Sequence, residues 1–533
     1  MEWNETMNGT IFKRIILVLA CVVFILPAGL SSEVSAGKLK PDTEKYTPGQ
    51  WYLGDTPPNY TSSKPPVVFV QGKNGNATNW YGETVYHGVN DMYTKFYEAG
   101  YQTVFVQLYD AAGNGSETQY KNGQLLATML KAISQRFNGQ KVNIVAHSKG
   151  GPDTQAALIH YGAHQYVGKV VTLGSPHYGS ELADLSYSWY AGWLGSLLGQ
   201  NDAGTYSLQI GEMAKFRTAT DSHANRSKNK YYTVAGTNKG PALSALALGG
   251  AYLASYGAND GLVTVTSSKL PYGTHLFTDS TLDHDYIRVG SKVFSRIEPY
   301  LRNNTVTNSV ASAYFEDDVT VSSAQASTIT STSSNYMTGG SLTLNTVVAK
   351  EIYVPSQTAA TISVLTANPS TSIELVSPKG IVTKAETAVK DDSILTGASV
   401  FNFQVDEMEE GTWTVNMKAA VEEDAYLLVA SFEDASSVSL QMANEGTLAN
   451  TPFTLTIPNN ELGVTSYSIK MMDADGNEVK QTILPKFGNK VGLSGKLPTV
   501  TKPGVYNITM DIITKYPNGK ASVRTVVRSI NIQ

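Results

Sequence analysis

Cysteine is all but missing: the 533 residues contain one, Cys21, and it lies inside an N-terminal apolar run. If that run is removed on maturation, disulfides and thiolate metal sites are excluded, and any nucleophile must use oxygen or nitrogen. Charge is also scarce, at 16% of residues, with a formal net charge of −5 and no long block of one sign. That excludes the basic footprint of a nucleic-acid binder. No short-period repeat is present.

The one long apolar run, Ile15 to Leu30, follows Lys13 and Arg14 and precedes Val34-Ser35-Ala36. Interrupted by Pro27, it falls short of the roughly 20 apolar residues that span a bilayer, so residues 1–36 are expected to be a signal peptide cleaved near Ala36. Leu19 fits a lipidation motif poorly, and the apolar run continues past Cys21. The mature chain is expected to be secreted and extracellular, either free or held at the cell surface.

A chain of this length exceeds one ordinary core. From Lys38 to about residue 304, short β-rich runs alternate with helical stretches, the pattern of a mostly parallel sheet covered by helices. Pro66–Val70, Thr103–Leu108 and Lys141–Ala146 are near-continuous apolar runs, as expected of strands buried on both faces, and Lys169–Leu173 and Lys230–Ala235 continue the series. Helices are expected over Asn90–Glu98, Gly123–Phe137, Asp153–Tyr161 and Tyr286–Ile297. Beyond Asn304 the text turns to Ser, Thr, Val and Ala in short alternating stretches. Two all-β sandwich modules are expected there, over 305–436 and 437–533, with strands at Ile373–Ser377, Gly411–Met417, Ala425–Phe432, Phe453–Ile457, Tyr467–Met471 and Val505–Ile512.

The chemistry concentrates at Ala146-His147-Ser148-Lys149-Gly150. A nucleophile elbow is a strained strand-to-helix turn that needs small residues two before and two after the serine; Ala146 and Gly150 meet that demand, and Ser148 falls where the buried run ends and a helix begins. A serine hydroxyl is a weak nucleophile, so it needs a base oriented by a carboxylate, and in this fold the chain order is serine, acid, histidine. Of the histidines after Ser148 (His160, His164, His177, His223, His275 and His284), His284 stands best, in Leu282-Asp283-His284-Asp285 after a strand-like run, whereas His275 sits within that run. Asp260, in the turn Asn259-Asp260-Gly261, is the leading acid, with Asp202 and Asp221 as alternatives. The oxyanion would be held by backbone N–H groups of Lys149 and of Lys73, the latter in the turn Val70-Gln71-Gly72-Lys73-Asn74-Gly75.

From Pro66 to about Leu301, these motifs resemble secreted bacterial lipases of the α/β-hydrolase superfamily, in particular the Gram-positive group with Ala-x-Ser-x-Gly at the elbow. The resemblance matches Gln71-Gly72-Lys73 to the family's oxyanion turn, Ser175-Pro176-His177-Tyr178-Gly179 to its S/T-P-H-x-G segment, Asn259–Val263 to its acid loop and Asp283-His284 to its histidine loop. Gln71 departs from the usual histidine of the oxyanion turn. The resemblance implies a triacylglycerol-type lipase or esterase working at a lipid–water interface, with no cofactor required. Some relatives carry zinc in an insertion that has no counterpart between Tyr101 and Lys141. Others hold calcium near the histidine, for which Asp279, Asp283 and Asp285 are candidates.

Leu185–Leu198 crowds aromatic and aliphatic residues, and Trp189, Tyr190, Trp193 and Leu194 are expected either in a substrate-contacting lid or in a buried helix. Two other readings stay open: an extracellular poly-3-hydroxyalkanoate depolymerase acting on a polymer surface, and a surface binding or adhesion protein with a degenerate hydrolase domain. The C-terminal modules, weakly similar to bacterial accessory sandwiches through Gly411-Thr412-Trp413-Thr414-Val415 and Pro503–Ile508, would bind substrate or the cell surface.

Overall fold

The computed structural model describes residues 46–112, 115–198, 202–304, 328–385, 389–390, 394–433, 437–443, 445–457, 464–483 and 492–533. The expected signal peptide lies outside the described residues. Among them, no helix is long and apolar enough to cross a membrane.

The first part of the chain builds one seven-stranded sheet from β1 (Trp51–Leu53), β2 (Val67–Val70), β3 (Thr103–Val106), β4 (Val142–His147), β5 (Val167–Leu173), β6 (Lys230–Gly236) and β7 (Thr274–Asp279), in the order β1-β3-β2-β4-β5-β6-β7. Only β1 runs antiparallel to its neighbour. The apolar runs of β2, β3 and β4 are buried along their whole length, which is why they read as continuous rather than alternating. One face of the sheet packs on α2 (Gln119–Arg136) through Leu126, Met129, Leu130 and Ile133. The other packs on α1 (Met92–Glu98) and on the terminal helix Gly290–Ile297 through Phe96, Val293 and Ile297. The single helix expected over Tyr286–Ile297 is broken: Tyr286–Arg288 forms a short 3₁₀ turn, and Val289, extended at φ −80° and ψ 126°, separates it from Gly290–Ile297.

Two sandwiches follow. In the first, a sheet containing Val347–Val354, Gly411–Lys418, Ser372–Val376 and Val382–Lys384 faces one containing Val389–Lys390, Ser399–Met408, Thr358–Thr366, Glu423–Phe432 and Asn335–Thr343, over a core that includes Ile362, Val364, Trp413 and Val415. The second is centred on the long hairpin Gly504–Lys515 and Ala521–Ile532. One strand departs from the expected division: Thr328–Ser333, early in the 305–436 stretch, pairs with Val438–Ala443 and so belongs to the second sandwich. Pairing between segments so far apart leaves no local signature in the sequence.

The sandwiches pack on the hydrolase domain through a shared core. Leu182, Leu185, Ala191, Leu194, Leu248 and Tyr252 meet Met337, Leu365, Ile394, Leu395, Leu427 and Val527.

Candidate active site

β4 ends at His147, and Ser148 takes φ +53°, the left-handed region that a non-glycine residue occupies only under strain. The turn is tied to the next strand by Ser148 N–H donating to the Leu173 carbonyl at 3.0 Å. A side chain at Gly150 would put its Cβ 2.5 Å from the Gln71 carbonyl oxygen, and one at Gly72 would come within 2.8 Å of the Ser148 Cβ. Both glycines therefore let the oxyanion turn and the elbow lie against each other. Helix α3 (Gly150–Gln155) starts at once and runs into a wider turn over Ala156–His160.

The structure brings Ser148, His284 and Asp260 together. His284 Nε2 lies 2.9 Å from Ser148 Oγ, and its Nδ1 lies 2.9 Å from Asp260 Oδ2. Asp260 is 1% exposed, and its other oxygen accepts from the Leu262 and Val263 amides at 3.1 and 2.8 Å. Its backbone carbonyl accepts the His284 N–H at 2.8 Å, so Asp260 and His284 share backbone and side-chain contacts. The weaker acid candidates stand elsewhere: Asp202 caps the helix Ala203–Ser207 and pairs with Lys73 at 3.3 Å, and Asp221 pairs with Arg217 at 3.3 Å. His275 is bound between Thr233 and Thr278 on β7.

No sequence signal marks His147 as more than the residue before Ser148. Its Nε2 lies 2.8 Å from the His284 carbonyl, so a neutral His147 donates there and steadies the backbone of His284. Burial, seconded by the neighbouring His284 and Arg288, holds the His147 pKa well below its ordinary value and keeps the ring neutral. With its amide oriented to satisfy both partners, Gln71 donates to the Val106 carbonyl and accepts from the Leu108 N–H at 3.0 Å each, fastening the turn after β2 to the end of β3. His177 is buried between Thr172 and Gln155 at 3.1 Å each, behind Pro176, which lines the cavity. Of the segment Ser175–Gly179, Pro176 alone is part of the cavity wall.

That cavity opens on Ser148 and is lined by Lys73, Pro176, Leu182, Ala183, Leu208, Leu262 and Val263 from the hydrolase domain, and by Ile394 from the first sandwich. Ile394 is 4% exposed, and its carbonyl accepts from Ser186 Oγ at 2.9 Å. Two residues on, Thr396 accepts from the Asn74 side chain at 3.3 Å. Nothing in Asp391-Asp392-Ser393-Ile394-Leu395 marks it in sequence as a partner of Ser148.

The four residues expected in either a substrate-contacting lid or a buried helix do not line this cavity; they form part of the seam with the sandwiches. Trp189 N–H donates to Thr509 Oγ1 at 3.2 Å, Tyr190 O–H donates to Asp511 at 2.6 Å, Leu194 is fully buried and Trp193 is 40% exposed. The calcium candidates are each engaged by protein groups: Asp279 by Arg296, Asp283 by His87 and Asp285 by Arg288. Among the described residues no group of His, Cys, Asp and Glu is arranged to hold a metal ion.

Residues 65–244 match the alpha/beta hydrolase fold family. Over 91% of its length the chain superposes on 98% of a Bacillus licheniformis lipase solved in propeptide form, with 31% identity and a TM-score of 0.72. It is 32% identical over 129 residues to a triacylglycerol lipase of Vibrio cholerae and 31% identical over 136 residues to one of Pseudarthrobacter phenanthrenivorans. These stretches cover 24% of this chain and 37% of each curated relative, so the chain spans little more than a third of their length. With the sheet, the elbow and a match running almost end to end along one lipase, the chain belongs to the alpha/beta hydrolase fold family.

Proposed function

We propose that the chain is a secreted serine carboxylic-ester hydrolase of the lipase type, working through Ser148, His284 and Asp260. One observation carries the reading: an unbroken hydrogen-bonded series from the Ser148 hydroxyl through His284 to the buried Asp260, opening on an apolar cavity. His284 Nε2 takes the Ser148 proton as Oγ attacks the ester carbonyl carbon. Asp260 stabilises the imidazolium, and the amides of Lys73 and Lys149 hold the oxyanion. The imidazolium then protonates the departing alcohol oxygen. Water, giving a proton to the same nitrogen, attacks the acyl-enzyme, and collapse returns that proton to Ser148 as the carboxylic acid leaves.

The apolar lining from Leu182, Leu208, Leu262 and Val263 suits an acyl chain, and the relatives named as triacylglycerol lipases support a lipid ester over other esters. Ser148→Ala is expected to remove nearly all turnover of p-nitrophenyl esters without unfolding the protein; substantial residual turnover refutes the assignment. Comparing triacylglycerol emulsions with poly-3-hydroxyalkanoate film separates the lipase from the depolymerase reading.

We also infer that the chain with both sandwiches in place is a covered form, in which Ile394 fills part of the acyl cavity. The propeptide form of the Bacillus licheniformis lipase, matched over nearly its whole length, supports this reading.

A further inference from the structure

Behind the oxyanion turn lies a charged cluster that the triad does not use. Lys149 follows the nucleophile, and its side chain is wholly buried, with Nζ 3.0 and 3.1 Å from the two Asp153 oxygens and 3.8 Å from Asp110 Oδ2. Asp110, 2% exposed in the short turn after β3, accepts the Asn74 backbone N–H on Oδ1 at 3.4 Å. Ser116 and the Asn122 amide donate to its two oxygens, and Asn122 also donates to Asp153 at 3.0 Å. Burying an ammonium and two carboxylates is costly and persists only where the groups are mutually satisfied. Burial works against the Lys149 charge, but Asp110 and Asp153 outweigh it and raise its pKa, so the ammonium is held. Burial pushes Asp153 up to about 7, against the pull of the Lys149 ammonium beside it.

The two oxyanion amides come from separate pieces of chain: Lys73 lies on the turn after β2, and Lys149 on the elbow. Asp110 touches both pieces, through the N–H of Asn74, next to Lys73, and through the ammonium of Lys149 itself. We propose that Asp110 is a positioning residue for the oxyanion hole, one carboxylate fixing the spacing between the Lys73 and Lys149 amides. The inference rests on the proposed ester hydrolysis. It assigns Asp110 no contact with substrate and assigns the Lys149 ammonium a role distinct from that of its amide.

An oxyanion hole acts on the transition state more than on bound ester, so loosening it lowers kcat and spares KM. The test uses the full chain and its Asp110→Ala, Lys149→Met and double variants. kcat and KM are measured on p-nitrophenyl acetate, and serine sites are counted by exhaustive phosphonate labelling. The expected result is a fall in kcat per labelled serine of about thirtyfold in each single variant, below the hundredfold or more that follows removal of a whole donor. KM stays within about twofold, and affinity for a boronic acid, whose tetrahedral adduct occupies the same hole, falls in parallel. The double variant should be no worse than about threefold below the weaker single, because both act through one strut. Should Asp110→Ala not fold, Lys149→Met and Asp110→Asn carry the test, the latter retaining the acceptor for Asn74 while placing an amide against Lys149. Activity lost only in proportion to labelled serine, with kcat per site unchanged, overturns the proposal, and so do single effects that multiply in the double. A wild type without Ser148-dependent turnover instead overturns the ester-hydrolase reading from which the proposal starts.

Discussion

Replacing Ile394 by Ala tests whether the first sandwich covers the site. Ile394 is 4% exposed, lies in the cavity that contains Ser148, and would be in water once the sandwich lifted away. Truncating it removes apolar burial from the covered state and almost none from the open state. A buried isoleucine side chain is worth about 1.5–3 kcal/mol, so the covered state should lose about 2 kcal/mol relative to the open one. Where the covered state dominates, that raises the open population by about thirtyfold. The hydrogen bond from Ser186 to the residue 394 carbonyl is kept, since it uses backbone, so the loss is confined to the side chain. The assay is kcat/KM of the full chain for p-nitrophenyl butyrate, alongside the initial rate of phosphonate labelling at Ser148. Both should rise together, by tenfold or more. Rates within twofold of wild type, with unchanged thermal stability, would refute the cover.

Asp260→Asn should preserve the fold while lowering kcat by about 10⁴-fold, because an amide at the position 2.9 Å from Nδ1 favours the wrong tautomer of His284. Ester turnover within tenfold of wild type would transfer the role of acid elsewhere. Gly150→Ala drives a Cβ to 2.5 Å from the Gln71 carbonyl and 2.9 Å from that of Val70, so it should push the oxyanion turn outward and depress kcat more than KM. Unchanged kinetics would mean that the turn yields freely. His177 carries a pKa held well below its ordinary value by burial, with Arg217 adding to the effect. It stays neutral when folded and gains a proton when unfolded, so its contribution to stability falls as pH drops through 6.5. The stability gap between wild type and His177→Gln should therefore shrink by about 1.3 kcal/mol between pH 7 and 5.5, read from urea unfolding at the two values. A gap that is flat or widens with acid contradicts the sign.

The site was legible where its chemistry is local. β4, the turn at Ser148 and the helix behind it announce themselves because a strand buried on both faces must be uniformly apolar and an elbow must be flanked by small residues. Asp260 and His284 followed from chain order within the fold, and the structure places His284 against Ser148 and Asp260 against His284, with the backbones of the latter two linked. What escaped is what depends on contacts between distant segments. The crowding of Leu185–Leu198 records only that an apolar surface exists, and a lid, a core helix and a seam between domains need the same residues. Tyr190 settles against Asp511 and Lys470 because its hydroxyl needs a partner once buried, and those partners lie in another module. The aspartates around His284 read equally as ligands for a cation or as partners for His87, Arg288 and Arg296, which only the folded chain brings near.

If the sandwiches act as a cover, weakening their hold at a residue outside the cavity lining should have the same consequence as trimming Ile394. The seam offers such a place at Asp184, a fully buried carboxylate that accepts the Ser529 N–H at 3.0 Å, the Ser529 hydroxyl at 2.5 Å and the Ile210 N–H at 3.1 Å. The Ser529 hydroxyl oxygen in turn accepts the Gly211 N–H at 2.7 Å. Ser529→Ala removes two of these bonds and leaves Asp184 the N–H groups of residues 529 and 210. A hydrogen bond to a charged group is worth about 1.5–3 kcal/mol and a neutral one about 1 kcal/mol, so the seam should weaken by about 2.5–4 kcal/mol. Ser529 is not among the residues that line the cavity, so the variant removes no wall of the acyl site, the alternative explanation open to Ile394→Ala. A rise in full-chain kcat/KM and in phosphonate labelling of about thirtyfold or more would show that activity is limited by docking of the sandwiches. Ile394→Ala activating alone, with Ser529→Ala silent, would instead reduce Ile394 to a residue that shapes the acyl site.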